Sequence, residues 1–198
     1  MVFYLIVIAV TLAATSLLNI FFNPMHEAWW VYLVATFGAA LVCFLLDALV
    51  AIIIRKMPEK YFQKDKGIFH TSEKELRFYR AIGVQKWKDY IPELGGFTNF
   101  HKDKVLNPFD NEYIAHFILE ARYGIAIHIY SVPASFLVIL LDYRMYMGQS
   151  NLFLTIALPI AFVNAILIVL PAFILKYNLP RLLRIYEGNL KMKEKNRT

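Results

Sequence analysis

Four long stretches of the chain carry almost nothing but apolar side chains: residues 2–22, 30–54, 123–143 and 152–175. Within each, the apolar positions are continuous rather than alternating, which predicts helices and not the strands of a barrel. A bilayer crossing takes about 20 apolar residues of helix. The pattern therefore predicts an all-α polytopic membrane protein with four transmembrane helices, built as a single membrane domain over residues 1–198. The first stretch has no basic leading segment, so it reads as a span rather than a removed leader.

The polar intervals differ sharply in character. Residues 55–121 form a long loop with apolar and aromatic side chains throughout, among them Phe62, Phe69, Phe78, Tyr79, Trp87 and Phe109. A loop of that length with so much to bury predicts a folded cap rather than a linker. Ser72 followed by Glu75 is a capping-box pattern and predicts a short helix ending at Tyr79 or Ala81. Asp110 is placed to cap a second helix that runs from Asn111 into the third span. The tail, 176–198, mixes Leu182, Leu183, Ile185, Tyr186 and Leu190 with basic residues, a pattern suited to a helix lying on an anionic leaflet.

Charge fixes the expected orientation. Of 21 Lys and Arg residues, 19 lie in the 55–121 loop or the tail, while the links at 23–29 and 142–151 hold only Arg144. By the positive-inside rule, the N-terminus, the cap and the C-terminal tail are expected in the cytoplasm of a cell-membrane protein. Trp29, Trp30, Tyr32, Tyr143 and Tyr146 fall at the opposite interface, as aromatic anchors do. Hydrophobic residues make up 59% and charged residues 18%, which excludes a disordered chain and most soluble enzymes. The net charge of +6 then points to anionic membrane lipids as partners; without a recognition motif it does not point to nucleic acid. The single cysteine, Cys43, excludes a disulfide framework and reads as a buried thiol. No phosphate-binding glycine loop, nucleophile elbow or CxxC pair is present. The sequence permits an oligomer without specifying one.

Ionisable groups at membrane depth are costly and are therefore candidate sites. His128 lies just inside the third span, and Asp47 lies eight residues before Arg55 at the same end of the second. A histidine held by a carboxylate is a competent general base near neutral pH. The other reading of His128 is a histidine that only hydrogen-bonds a neighbouring span, and Asp47 equally suits a plain helix contact. Glu112, His116 and Glu120 follow at i, i+4 and i+8 on one helical face, with His128 continuing the stripe. Carboxylate and imidazole suit zinc or iron, but no HExxH accompanies them, and a solvated face paired internally through Arg122 explains the stripe as well. Lys88, Lys102 and Arg181, with Trp87 beside Lys88, are basic groups suited to a phosphate-bearing substrate or to lipid headgroups. The prolines at 133, 159 and 171 fall inside spans, where they permit kinks.

In order along the chain, Pro58-Glu-Lys-Tyr-Phe62, Phe78-Tyr79, Lys86-Trp87-Lys88, Glu120 with His128 eight residues on, and Asn178-Leu-Pro-Arg181 resemble the glycosyl-4,4'-diaponeurosporenoate acyltransferase family of small bacterial membrane proteins. The resemblance covers roughly residues 53–186. It implies an acyltransferase that acylates a sugar hydroxyl of a carotenoid glycolipid. Its matched motifs include His128 and Glu120, expected to be catalytic, and Lys88, Trp87, Asn178 and Arg181, expected to contact substrate; the residue-level reading adds Lys102 beside a donor phosphate or the oxyanion, and Asp47 as the alternative to Glu120 for orienting His128. The expected reaction moves a fatty acyl group from a thioester donor, acyl-CoA or acyl carrier protein, to a hydroxyl of a lipid-linked acceptor, with no resident cofactor firmly implied. Glu120 and His128 stand two helical turns apart, ~12 Å, so direct contact needs a helix break near Gly124 or a bridging group. Two other readings stay open: a non-catalytic scaffold that binds lipid or a partner, and a metal-dependent enzyme built on Glu112, His116, Glu120 and His128.

Overall fold

The computed structural model describes residues 2–23, 28–91, 105, 107–140 and 153–195, at 153 and 154 through the backbone alone. Expectations that rest on Lys102 or on the link at 142–151 lie outside these residues. Among the described residues, all regular structure is helical. The helices are α1 (Val2–Phe22), α2 (Trp29–Lys56), α3 (Glu73–Ala81), α4 (Val84–Trp87), α5 (Asn111–Ser135) and α6 (Leu158–Lys195). Short 3-10 turns occupy Glu59–Tyr61, Gly67–Phe69 and Lys88–Tyr90, another prolongs α5 over Phe136–Leu140, and a π turn over Phe153–Ala157 leads into α6.

Among the described residues, four segments are long and apolar enough to cross a membrane: Val2–Phe22, Trp29–Lys56, Asn111–Leu140 and Thr155–Lys195. The protein is an all-α polytopic membrane protein. The first two segments match the apolar stretches closely. The third is helical from Asn111, as the Asp110 cap predicts, ahead of the apolar stretch that starts near Tyr123. The fourth runs on through the basic tail to Lys195, so the tail is a continuation of the last span's helix and not a separate element.

Two compact units divide the chain: Met1–Ile53 with Ile127–Val169, and Ile54–Ala126 with Leu170–Thr198. The first is turned inside out relative to a soluble domain. Along α1 the buried residues are polar, Thr15, Ser16 and Asn19, while Val2, Leu5, Val10, Phe21 and Phe22 are exposed. That distribution is what hydrocarbon solvent selects: apolar side chains lose nothing by facing lipid, and polar ones must find partners inside. The core packs Ala35, Ala39 and Cys43 of α2 against Ala157, Ile160 and Ala161, with Tyr32 and Val138 completing it. Small residues one turn apart on facing helices let the backbones come close. Cys43 is buried, as expected, with its Sγ 3.7 Å from the Ser135 carbonyl.

The prolines of α6 explain two further contacts. Proline has no N–H, so the carbonyl four residues earlier loses its helical donor. For Pro159 that carbonyl belongs to Thr155, and Asn19 Nδ2 donates to it at 3.1 Å. For Pro171 it belongs to Leu167, and the Tyr4 hydroxyl donates to it at 2.6 Å. Each freed carbonyl is thus taken by a side chain of α1, which ties α1 to α6 at two heights. These two prolines thus expose backbone acceptors along α6.

The second unit includes the 55–121 loop. Its aromatic side chains form two small clusters. Phe62 packs on Tyr123 (4.3 Å between ring centroids) and on Phe69 (5.8 Å). Tyr79 packs on Phe173 of α6 at 5.3 Å, and Phe78 meets the same ring edge-on at 5.9 Å. Arg122 is buried and donates to the carbonyls of Phe62 and Gln63 at 2.9 and 2.7 Å, pinning the chain that follows α2 to α5. At the far end, Asn189 Nδ2 donates to the Pro108 carbonyl at 2.7 Å.

Candidate functional site

Helix α3 begins as its sequence predicts. The Ser72 hydroxyl accepts from the Glu75 amide at 3.2 Å, and the Glu75 carboxylate accepts from the Ser72 amide at 2.9 Å, a complete capping box. The second carboxylate oxygen of Glu75 accepts from Lys176 Nζ of α6 at 2.6 Å. Partial burial alone would raise the Glu75 carboxyl, but the Lys176 ammonium and the Ser72 amide outweigh it and hold the group below its ordinary value. Tyr79, one turn further along, has its phenol pushed up to about 12 by burial and by the neighbouring Glu75 charge. Beside this pair the Thr71 hydroxyl donates at 3.1 Å to the carbonyl of Lys176, the acceptor that Pro180 frees. The same device that ties α1 to α6 therefore ties α3 to α6.

Helix α3 stops at Gly83, which takes the left-handed backbone (φ +68°) that a side chain at that position would resist. The chain turns there into α4 and the 3-10 turn at Lys88. This places Arg80 and Lys88 on one side of a cavity of about 430 Å³. The opposite wall is a face of α6: Tyr177 and Asn178, then Arg181, then Arg184 and Ile185. Those positions recur every three to four residues, one stripe of a helix. Leu76, Gln85 and Pro180 complete the lining. Lys88, Asn178 and Arg181, which the sequence assigned separately to substrate contact, thus meet at one cavity. Arg80 and Arg184 join them; nothing about their sequence context distinguished them from other surface cations. Among the described residues the lining includes no carboxylate and none of the four cations is ion-paired. Trp87 is not part of the wall. Its indole N–H donates to the Ile82 carbonyl at 2.9 Å, bracing the turn that presents Lys88.

Glu120 is buried and engaged. Both its oxygens accept from Arg55, at 2.7 and 2.8 Å, and the Arg55 guanidinium lies over the Tyr123 ring at 5.2 Å. Arg55 at the end of α2 was not singled out by its sequence, where it reads as one more positive-inside charge. Arg122, the partner considered for this stripe, is directed instead at the Phe62 and Gln63 carbonyls. Helix α5 does not break at Gly124.

Asp47 accepts from Asn164 Nδ2 at 3.0 Å, and the same amide donates to Ser135 Oγ at 2.9 Å. Asp47 therefore makes a helix contact between α2 and α6 within the first unit. His128 is half-buried on α5 in that unit. Glu112 and His116 are exposed while Glu120 is buried, so the i, i+4, i+8 stripe does not present one environment to a metal. Among the described residues, no three His, Cys, Asp or Glu side chains gather as a metal-binding group.

No curated protein and no solved structure is significantly similar to the chain. A family model does match, that of glycosyl-4,4'-diaponeurosporenoate acyltransferase, over residues 58–188. That interval contains every wall of the cavity, the Arg55-bound Glu120, and His128. It starts at Pro58 of the Pro58–Phe62 motif and ends beyond Arg181, so the match holds the residues on which the resemblance rested. Spanning well over half of the 198 residues, it places the chain in the glycosyl-4,4'-diaponeurosporenoate acyltransferase family.

Proposed function

We propose that the protein transfers a fatty acyl group from a thioester donor to a hydroxyl of a lipid-linked sugar, a carotenoid glycoside or a related glycolipid, at the cytoplasmic face of the cell membrane. The observation that carries this reading is the meeting of Lys88, Asn178 and Arg181 at one cation-lined cavity inside the family-matched region. Thioester donors of this kind carry phosphate, and guanidinium and ammonium groups bind phosphate through charge-assisted hydrogen bonds. The positive-inside distribution of the cations supports the cytoplasmic face, where such donors are made.

In the proposed reaction His128 removes the proton of the acceptor hydroxyl. The oxygen attacks the thioester carbonyl, the C–S bond breaks, and the departing thiolate takes the proton from the imidazolium. An ester and a free thiol result, with charge and protons balanced. Glu120 acts through Arg55, holding the cytoplasmic ends of α2 and α5 together rather than contacting substrate.

The test uses protein purified in mild detergent, supplied with an acyl-CoA or an acyl carrier protein and with glycolipid acceptor, the ester being followed by mass spectrometry. The expected result is ester formation by the wild type and its loss in His128→Ala, with the thermal unfolding midpoint of the variant retained. An unchanged rate in His128→Ala removes His128 from the chemistry. No ester from either donor class favours the non-catalytic, lipid-binding reading.

A further inference from the structure

We infer that the cavity between α3 and α6 is a nucleotide pocket, which takes the phosphorylated adenosine end of a coenzyme A thioester and so selects that donor over an acyl carrier protein. The inference rests on the acyltransferase reading and names the donor class for it.

Three features of the cavity carry it. The first is charge. Arg80, Lys88, Arg181 and Arg184 share one lining, and none of its described residues is a carboxylate. Four cations brought to one cavity repel one another, and an anion of matching charge relieves that repulsion. Coenzyme A carries a diphosphate and a ribose 3'-phosphate, together roughly four negative charges near neutral pH, since a phosphate monoester bears about −1.5 to −2. The prosthetic arm of a carrier protein brings a single phosphodiester. The second feature is size. At about 430 Å³ the cavity lies in the range of small-molecule sites, roughly 300–1,000 Å³, larger than one phosphate group needs. The third is the rest of the lining. Tyr177 offers an aromatic face, Leu76 and Ile185 offer apolar contact, and the Gln85 and Asn178 amides can both donate and accept. A purine needs such a set: a surface to stack on and groups to pair with its edge.

The cavity is also braced as a binding site requires. Arg80 rides on a helix held at its start by the Ser72–Glu75 box and by Lys176. Arg184 Nε donates to the Pro180 carbonyl at 3.3 Å, which orients its guanidinium and leaves the remaining N–H groups for a ligand.

Calorimetric titration of the full-length protein in detergent tests this with coenzyme A itself, which lacks the acyl group and is not turned over. Saturable binding is expected, weakened at least ~10-fold for 3'-dephospho-coenzyme A and weakened ~10-fold or more by Arg181→Gln with Arg184→Gln, exposed positions whose loss leaves folding intact. Lys88→Met provides a second, independent variant on the opposite wall and is expected to weaken binding as well. Inorganic phosphate should compete only far above the coenzyme A concentration. Absence of saturable binding, or equal affinity for the 3'-dephospho form and in all variants, overturns the inference. So does displacement of coenzyme A when phosphatidylglycerol replaces phosphatidylcholine in nanodiscs, which identifies the pocket as a headgroup site. Because binding is read without turnover, the two readings fail separately: ester formed from acyl carrier protein without coenzyme A binding sinks the nucleotide pocket alone, whereas coenzyme A binding with no ester from any donor sinks the acyltransferase reading.

Discussion

Arg55 and Glu120 form an ion pair with unequal surroundings: the Glu120 side chain is 10% exposed and that of Arg55 41%. An exposed pair contributes about 0–1 kcal/mol, and removing one partner of a buried pair costs about 3–5 kcal/mol. With one partner buried and the other in contact with solvent, Glu120→Gln is expected to destabilise the protein by about 1–3 kcal/mol. Thermal unfolding in detergent checks this, and in a double-mutant cycle with Arg55→Met the double variant should lose less stability than the two single variants summed. Loss of acyl transfer without loss of stability would instead place Glu120 in the chemistry. Gly83 is the other residue at which a single change has a clear expected cost. Its φ of +68° disfavours any side chain, so Gly83→Ala should cost about 1–2 kcal/mol although the nearest atom to an added Cβ, on Lys86, is an ordinary 3.8 Å away.

At the scale of elements, the joints of α6 are the most exacting feature. Tyr4, Asn19 and Thr71 each donate to a carbonyl that Pro171, Pro159 or Pro180 has freed. In hydrocarbon an orphaned carbonyl has no water to turn to. Tyr4→Phe is therefore expected to destabilise by about 1–2 kcal/mol, and Pro171→Ala should make that same change nearly harmless, because an alanine N–H restores the helical bond to Leu167. Equal effects of Tyr4→Phe in both backgrounds would refute the link. The joint at α3 carries a pH dependence. The folded-state value of Glu75 is below its ordinary 4.5, so its contribution to stability is complete above that value and is lost as the pH falls through the folded-state value. The protection of α3 amides against hydrogen exchange, relative to the intrinsic rate at each pH, should fall on acidification below about pH 4.5 in the wild type, and a Glu75→Gln variant should show the lower protection at every pH.

For the whole molecule, the testable property is orientation. With 19 of 21 cations in two segments, both segments should lie on one side of the membrane. In a Cys43→Ser background, a cysteine placed at Lys64 and one placed at Arg197 should both react with an impermeant thiol reagent in inside-out vesicles and remain unlabelled in intact cells. Opposite labelling of the two positions would require an odd number of crossings between them.

Much of this architecture was legible in the sequence because the bilayer imposes a one-dimensional rule. A helix crossing hydrocarbon must be apolar over a fixed length, so composition alone marked the four spans; local hydrogen bonding likewise marked the starts of α3 at Ser72 and of α5 at Asp110. The ordered motifs also pointed to the family, and to Lys88, Asn178 and Arg181. The partners were not legible. Glu120 stands 65 positions from Arg55, and Lys176 stands 101 from Glu75. Nothing local in the chain marks one arginine or lysine among many as the one that will close on a buried carboxylate. The prolines make the same point. Proline chemistry determines that a carbonyl is freed, but which side chain reaches it depends on how α1 and α3 pack on α6. The cavity is likewise a product of packing, since Arg80 and Arg184 become part of one site only when Gly83 turns the chain and the two helices meet.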